Sequence, residues 1–294
     1  MTVFFSQLIN GLSLGSIYAL IALGYSMVYG IILLLNFAHG DIIMVGGFAI
    51  FTMVSTLGLP APLGILTAVV ICTVLGVTIE RVAYKPLRGA SSLAVLITAI
   101  GVSYLLQNLA LLIFGSNARQ FTSVVTVPGL KLAGGALSIS GETIVTILSC
   151  IVIMVCLTQF INRTKVGQAM LAVSEDQGAA TLMGIDVNRT IAITFAIGSA
   201  LAAIAGALLC STYPSLTPYT GSMPGIKAFV AAVFGGIGSI PGALIGGVLL
   251  GVIENLSKAY ISSQLSDAIV FSVLIIVLLV RPTGILGKKI MEKV

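Results

Sequence analysis

The sequence has 294 residues, 58% of them hydrophobic and 8% charged, with a mean hydropathy of +1.17. A water-soluble fold would lack the polar surface to cover itself, so the composition excludes a soluble domain and points to one all-α, polytopic membrane domain over 1–294. The net charge of +5 does not indicate a nucleic-acid binder, because the bases are scattered in short loops between apolar runs.

In chain order, runs long enough to cross about 30 Å of hydrocarbon as helix fall at about 8–35, 41–57, 62–80, 92–114, 141–161, 190–212, 240–258 and 264–281. A ninth piece, about 225–238, is too short for a comfortable span. The expectation is a transmembrane helical bundle of about eight spans, within a range of seven to ten, with at least one short or broken membrane segment. The start, MTVFFSQLINGLSLGS, lacks the basic region and cleavage site of a signal peptide, so the first segment is expected to be retained. That segment is longer than the hydrocarbon is thick: either it tilts strongly or it breaks, and Gly24 and Gly30 offer places to break.

The stretch LLLNFAHGDIIMVGG, residues 33–47, sets Asn36, the single His39 and Asp41 between two apolar runs. One reading is a polar turn joining two spans, with Asn36 capping, Gly40 bending and Asp41 opening the next helix against its dipole. The other is a helix break on a transport pathway, where helix ends meet charged groups of a solute. Two spans must be joined here, which favours the turn. Gln107 and Asn108 interrupt the fourth span and present the same choice between interhelical hydrogen bonding and a pathway contact. Glu254 lies near the end of the 240–258 span, where snorkelling to the interface is expected.

Orientation follows from Lys and Arg in short loops. Arg81, Lys85 and Arg88, then Arg163, Lys165 and Arg189, then Arg281, Lys288, Lys289 and Lys293 mark the cytoplasmic side, placing the C-terminus in the cytoplasm. The 115–140 segment, with two bases, reads as an external loop with a short hairpin around Pro128-Gly129. The 162–189 loop holds a helix at about 174–184: Ser174 caps it with Gln177 as reciprocal partner, Glu175 and Asp176 suit the first turn, Ala179 and Ala180 favour helix, and Gly184 stops it. In GGIGSIPG, Gly235, Gly236, Gly238 and Pro241 with Gly242 interrupt helix, as a discontinuous segment beside a pathway or as a tight turn; Gly242 and Gly246 also give a small-xxx-small packing face. Cys72, Cys150, Cys156 and Cys210 all fall in apolar segments and read as buried thiols, neither disulfides nor a metal site. No nucleotide-binding G-x-x-x-x-G-K-[ST] and no catalytic constellation are present.

NGLSLGSIYALIALGYSMVYGIILLLNFAHGD, ERVAYKPLRGASSLAVLITAIGVSYLLQN, FGGIGSIPGALIGG and RPTGILG, in that order, resemble the LivH-type permeases of branched-chain amino acid ABC transporters along nearly the whole chain. The resemblance implies a multi-pass permease subunit in a bacterial inner membrane, importing leucine, isoleucine and valine and having no enzyme activity. It implies a second, LivM-like permease, two cytoplasmic ATPase subunits and a periplasmic amino-acid-binding protein; no cofactor is expected on this chain, with ATP and Mg on the ATPases. The 174–184 helix then corresponds to the coupling helix that docks on the ATPase. Its Glu-Ala-Ala-x-x-x-Gly motif appears here as Gly178-Ala179-Ala180-x-x-x-Gly184, with Glu175 one turn earlier as a substitute carboxylate. A permease for urea, short amides or another small polar solute is the related alternative, and a stand-alone secondary transporter or channel the more distant one.

Overall fold

A computed structural model describes residues 2–32, 36–132 and 137–287. Its helices are α1 (Thr2–Ile32), α2 (His39–Phe51), α3 (Ala61–Ile79), α4 (Ser92–Phe114), α5 (Gly141–Arg163), α6 (Lys165–Glu175), α7 (Gln177–Leu182), α8 (Val187–Thr212), α9 (Ser222–Gly235), α10 (Ile240–Tyr260) and α11 (Ser266–Val280). Among the described residues seven helices are long and apolar enough to cross a membrane, and α9 and α11 are shorter apolar helices. Wide π-helical turns extend α2 through Thr52–Thr56 and α3 through Glu80–Tyr84.

α1 runs unbroken through Gly24 and Gly30. Those glycines serve close approach rather than a bend: Gly30 packs on Gly238, and a Cβ on Gly24 would strike the His39 ring. Lipid supplies no hydrophobic force between helices, so contact depends on shape, and small residues let backbones meet. Gly247 and Gly251 of α10 lie against the backbones of Ala19 and Gly15 in antiparallel α1, while Gly242 and Gly246 meet Gly235 and Ala231 of α9. A central α1–α9–α10 layer results, with α8 packed on α1 and α2 on α9, and α3 packed outside them against α8 and α2.

The contacts also order the two ends of the bundle. Gly30 meets Gly238, the Gln177 side chain donates to the Ile31 carbonyl at 3.2 Å, and Tyr84 donates to Asn36 Oδ1 at 2.9 Å. The Arg81–Arg88 segment, α6, α7 and the 281–287 segment therefore share one end, called here the basic end; Lys288, Lys289 and Lys293 lie outside the described residues. At the other end Gln7 and Asn255 are hydrogen-bonded, so α1 enters where α10 leaves.

GGIGSIPG forms a tight turn at the basic end. Gly236 (φ +110°) and Gly238 (φ +85°) are in the left-handed region, and the Ser239 hydroxyl caps α10 by accepting from the Gly242 N–H at 3.2 Å. The RPTGILG segment completes this turn: the N–H groups of Ile285 and Leu286 donate to the Phe234 and Gly235 carbonyls at 3.0 and 2.9 Å, satisfying the end of α9. The 115–140 segment differs from its expectation. Its hairpin lies just past Pro128-Gly129, with β2 (Leu130–Leu132) against β3 (Leu137–Ile139), while β1 (Arg119–Gln120) pairs with β4 (Ser215–Leu216) after α8. That pairing ties the segment to the chain entering α9.

The 162–189 loop holds two helices. Thr164 caps α6 by accepting from the Gly167 N–H, so helix is already under way at Ser174, whose hydroxyl donates back to the Leu171 carbonyl. Asp176 caps α7 instead, accepting from the Ala179 N–H at 2.9 Å. Gln177 reaches α1 rather than Ser174, and Gly184 ends the element at φ +83°.

Candidate functional site

The chain between α1 and α2 returns into the bundle before α2 begins. His39 packs on Gly24, eight residues from the end of α1, and Gly24 touches Gly198, eleven residues into α8. At 1.5 Å per residue these offsets place the start of α2 about 12 to 16 Å from the basic end, near the middle of a hydrocarbon layer about 30 Å thick. Asn36, His39 and Asp41 are each no more than 3% exposed. Asn36 does not cap α2: its side chain accepts from Tyr84, and its backbone carbonyl accepts from the His39 N–H at 3.1 Å. The His39 ring stands edge-on to Tyr25 with centroids 4.7 Å apart, and its Nε2 makes no hydrogen bond of ordinary geometry, with the Ile21 carbonyl the backbone acceptor near it.

A second helix begins at the same depth. After β4 the chain turns inward and α9 starts at Ser222, where Gly221 and Gly225 sit directly on Gly40. Neither α2 nor α9 has a side-chain cap, so two helix N-termini with their partial positive charge open on one cavity. The cavity holds about 310 Å³, at the lower end of the range for small-molecule sites. Its polar wall is Asp41, Ser103, Gln107 and Ser222: Gln107 Nε2 donates to Asp41 Oδ1 at 2.9 Å and lies 3.2 and 3.3 Å from the hydroxyls of Ser103 and Ser222. Phe37, Ile100, Tyr104, Ile226 and Tyr25 complete its lining. One carboxylate, two helix N-termini and an apolar wall form the donor set that a zwitterion with a hydrocarbon side chain requires.

The structure thus brings Asp41 and Gln107 together and leaves Asn108 apart: Asn108 is exposed and donates to the Tyr104 carbonyl of its own helix at 2.7 Å. Sequence reasoning missed Ser103, Ser222 and Tyr25. Ser103 stands one helical turn before Gln107 and was legible by that spacing; Ser222 follows an irregular stretch and carried no comparable signal.

Glu254 does not snorkel. It is 1% exposed and accepts hydrogen bonds from Tyr18 and Lys227 at 2.8 Å and from Lys258 at 2.5 Å, while Lys227 also pairs with Asp267 at 2.7 Å. Four elements, α1, α9, α10 and α11, are joined there. Lys227 is the missed signal, a single cation inside the ninth apolar piece, where an ionisable residue marks an internal partner. Cys72, Cys150 and Cys210 are buried free thiols, whereas Cys156 is exposed, because it lies on an outward face of α5. Among the described residues no group of three metal-ligating side chains is present.

Residues 7–278 match the model of a family described as the permease component of branched-chain amino acid transport systems. The chain is 46% identical to the high-affinity branched-chain amino acid transport system permease protein LivH of Escherichia coli K12, over 99% of this chain and 98% of that protein. It is 45% identical to the corresponding protein BraD of Pseudomonas aeruginosa, again over 99% and 98%. Among solved structures, PsaBC from Streptococcus pneumoniae in complex with Fab superposes with a TM-score of 0.50 at 13% identity, covering 93% of this chain and 91% of that one, a likeness of fold alone.

Proposed function

The chain belongs to the family of branched-chain amino acid transport permeases, and from that premise we propose that the cavity between the starts of α2 and α9 is where the amino acid rests while crossing the membrane. The chain is the membrane-spanning permease subunit of an ABC importer for branched-chain amino acids. Asp41 receives the ammonium group of the substrate, the N-termini of α2 and α9 with Ser222 receive its carboxylate, and Phe37, Ile100 and Ile226 receive its side chain. The single observation that supports this reading best is the placement of a buried carboxylate, held by Gln107 at 2.9 Å, on an amino-acid-sized cavity near mid-membrane.

The remaining parts of the machine are proposed with it. A second, LivM-like permease pairs with this one, a periplasmic binding protein delivers the substrate at the end opposite the bases, and two ATPases carry the ATP and Mg. The basic end, with the C-terminus, faces the cytoplasm. α7 is the element that docks on an ATPase, through Asp176, Ala179 and Gly184, with Ser174 and Glu175 on the preceding helix beside it. Gln177 joins α7 to the last turn of α1, so a push on α7 reaches the chain that leads into the α1–α2 junction.

Uptake by the reconstituted importer tests the site. Asp41→Asn removes the charge and keeps the shape, and is expected to lower leucine, isoleucine and valine uptake by about tenfold to a hundredfold, the range for a hydrogen bond to a charged group. Unchanged uptake would remove the cavity from the pathway. ATP-driven uptake of urea without leucine would overturn the substrate.

A further inference from the structure

α3 and α8 pack tightly at one level and part below it. Gly76 lies against the Ser199 side chain so closely that a Cβ would overlap it. From there to the basic end the two helices border an open cleft of about 520 Å³. Val77, Arg81 and Lys85 line one wall at near-helical spacing, with Arg81 in the wide turn Glu80–Tyr84 and Lys85 directly after it. Arg189, Ile193 and Ala196 line the other.

The cleft is layered by chemistry. Its inner part is apolar and lies within two membrane-spanning helices: Ala196 is nine residues into α8, about 14 Å from its start. Its rim is cationic. Glu80 is already neutralised by Arg88, which also bonds Asn188, so Arg81, Lys85 and Arg189 face Asp186 alone, and the Asp186 carboxylate is engaged as the cap of α8. The side chains of Arg81, Lys85 and Arg189 have no hydrogen bond or ion pair among the described residues, and all three are exposed. Three cations against one carboxylate leave the rim with an excess of two positive charges above an apolar slot, a pairing that calls for an anion on the rim and hydrocarbon in the slot.

We propose that this cleft binds an anionic phospholipid of the basic-end leaflet. Arg81, Lys85 and Arg189 hold the phosphodiester and headgroup, while the glycerol and first acyl methylenes lie on Val77, Ile193 and Ala196. A free phosphate satisfies the rim and leaves the slot empty; an apolar helix fills the slot and leaves the cations without partners. A phospholipid matches both. The site is separate from the cavity at Asp41 and does not depend on what that cavity carries.

Native mass spectrometry of the assembled importer, released from nanodiscs containing phosphatidylglycerol and phosphatidylcholine, tests the proposal. Wild type is expected to retain phosphatidylglycerol selectively. The triple variant Arg81→Gln, Lys85→Gln, Arg189→Gln is expected to lose about a hundredfold in affinity, given about fivefold per base near an anionic lipid surface. Arg119→Gln with Lys131→Gln, at the other end, is expected to change nothing. Equal retention of phosphatidylcholine by wild type overturns the proposal without reference to any variant. So does a triple variant that keeps phosphatidylglycerol at the wild-type level, or displacement of the lipid by inorganic phosphate alone.

Discussion

Asp41 and Glu254 are both buried carboxylates in apolar helices, and their surroundings assign them opposite roles. Glu254 and Asp267 sit with Lys227 and Lys258 in a charge-matched cluster, and Tyr18 also donates to Glu254. Asp41 has only amide and hydroxyl neighbours and borders a cavity. Removing one member of a buried ion pair leaves the other uncompensated, at a cost of about 3 to 5 kcal/mol. Lys227→Met is therefore expected to lower the melting temperature of the detergent-solubilised protein sharply. Lys258→Met is expected to change stability by less than about 1 kcal/mol, since the Lys258 side chain is 40% exposed. Asp41→Asn is expected to keep the wild-type melting temperature while uptake falls. Both carboxylates were visible in the sequence, but the partner that distinguishes them was not. Lys227 is 27 residues from Glu254, and no local pattern connects them.

Between elements, glycine decides which faces meet. Gly247 faces the Ala19 backbone, whereas Gly101 of α4 has no atom within 4 Å of where its Cβ would be. Overpacking a tight interface costs about 1 to 3 kcal/mol, so Gly247→Val is expected to destabilise the protein by about that much and to loosen α1 from α10. Gly101→Ala is expected to raise stability slightly through helix propensity; the pair of melting temperatures reads the difference. Element ends were legible where punctuation was unambiguous: α4 runs Ser92–Phe114 as anticipated, with Ser91 capping its start and Gly115 stopping its end. The 162–189 loop was misleading, because Ser174 and Gln177 have the spacing of a capping box while Thr164 had already begun a helix ten residues earlier. Gln177 is instead spent on α1. Gln177→Leu is expected to leave ATP hydrolysis by the assembled importer in place while amino-acid uptake falls severalfold, a separation that loss of folding does not produce.

At the scale of the whole molecule, spans counted from hydropathy alone left the side of the N-terminus open, and helix contacts now order it. α10 begins at the basic end, where Gly238 meets Gly30, and leaves at the other, where Asn255 bonds Gln7. α1 must run the opposite way and enter from the end away from the bases. α8 leaves at that same end, where β4 pairs with β1, so the short α9 carries the chain from mid-membrane back to the basic end. Short segments such as α9 escape a hydropathy count because their other half is irregular chain, supported by protein rather than by lipid. The proposed cytoplasmic placement of the basic end puts the N-terminus outside and the C-terminus inside. In a background with Cys156 replaced, Gln7→Cys and Ser138→Cys are expected to react with a membrane-impermeant maleimide added to intact, outer-membrane-permeabilised cells. Thr181→Cys is expected to react only after the inner membrane is opened. Labelling of Thr181→Cys from outside would invert the molecule and move the proposed lipid cleft to the other leaflet; protection of Gln7→Cys alone would mean that α1 does not enter from the side its contact with α10 requires.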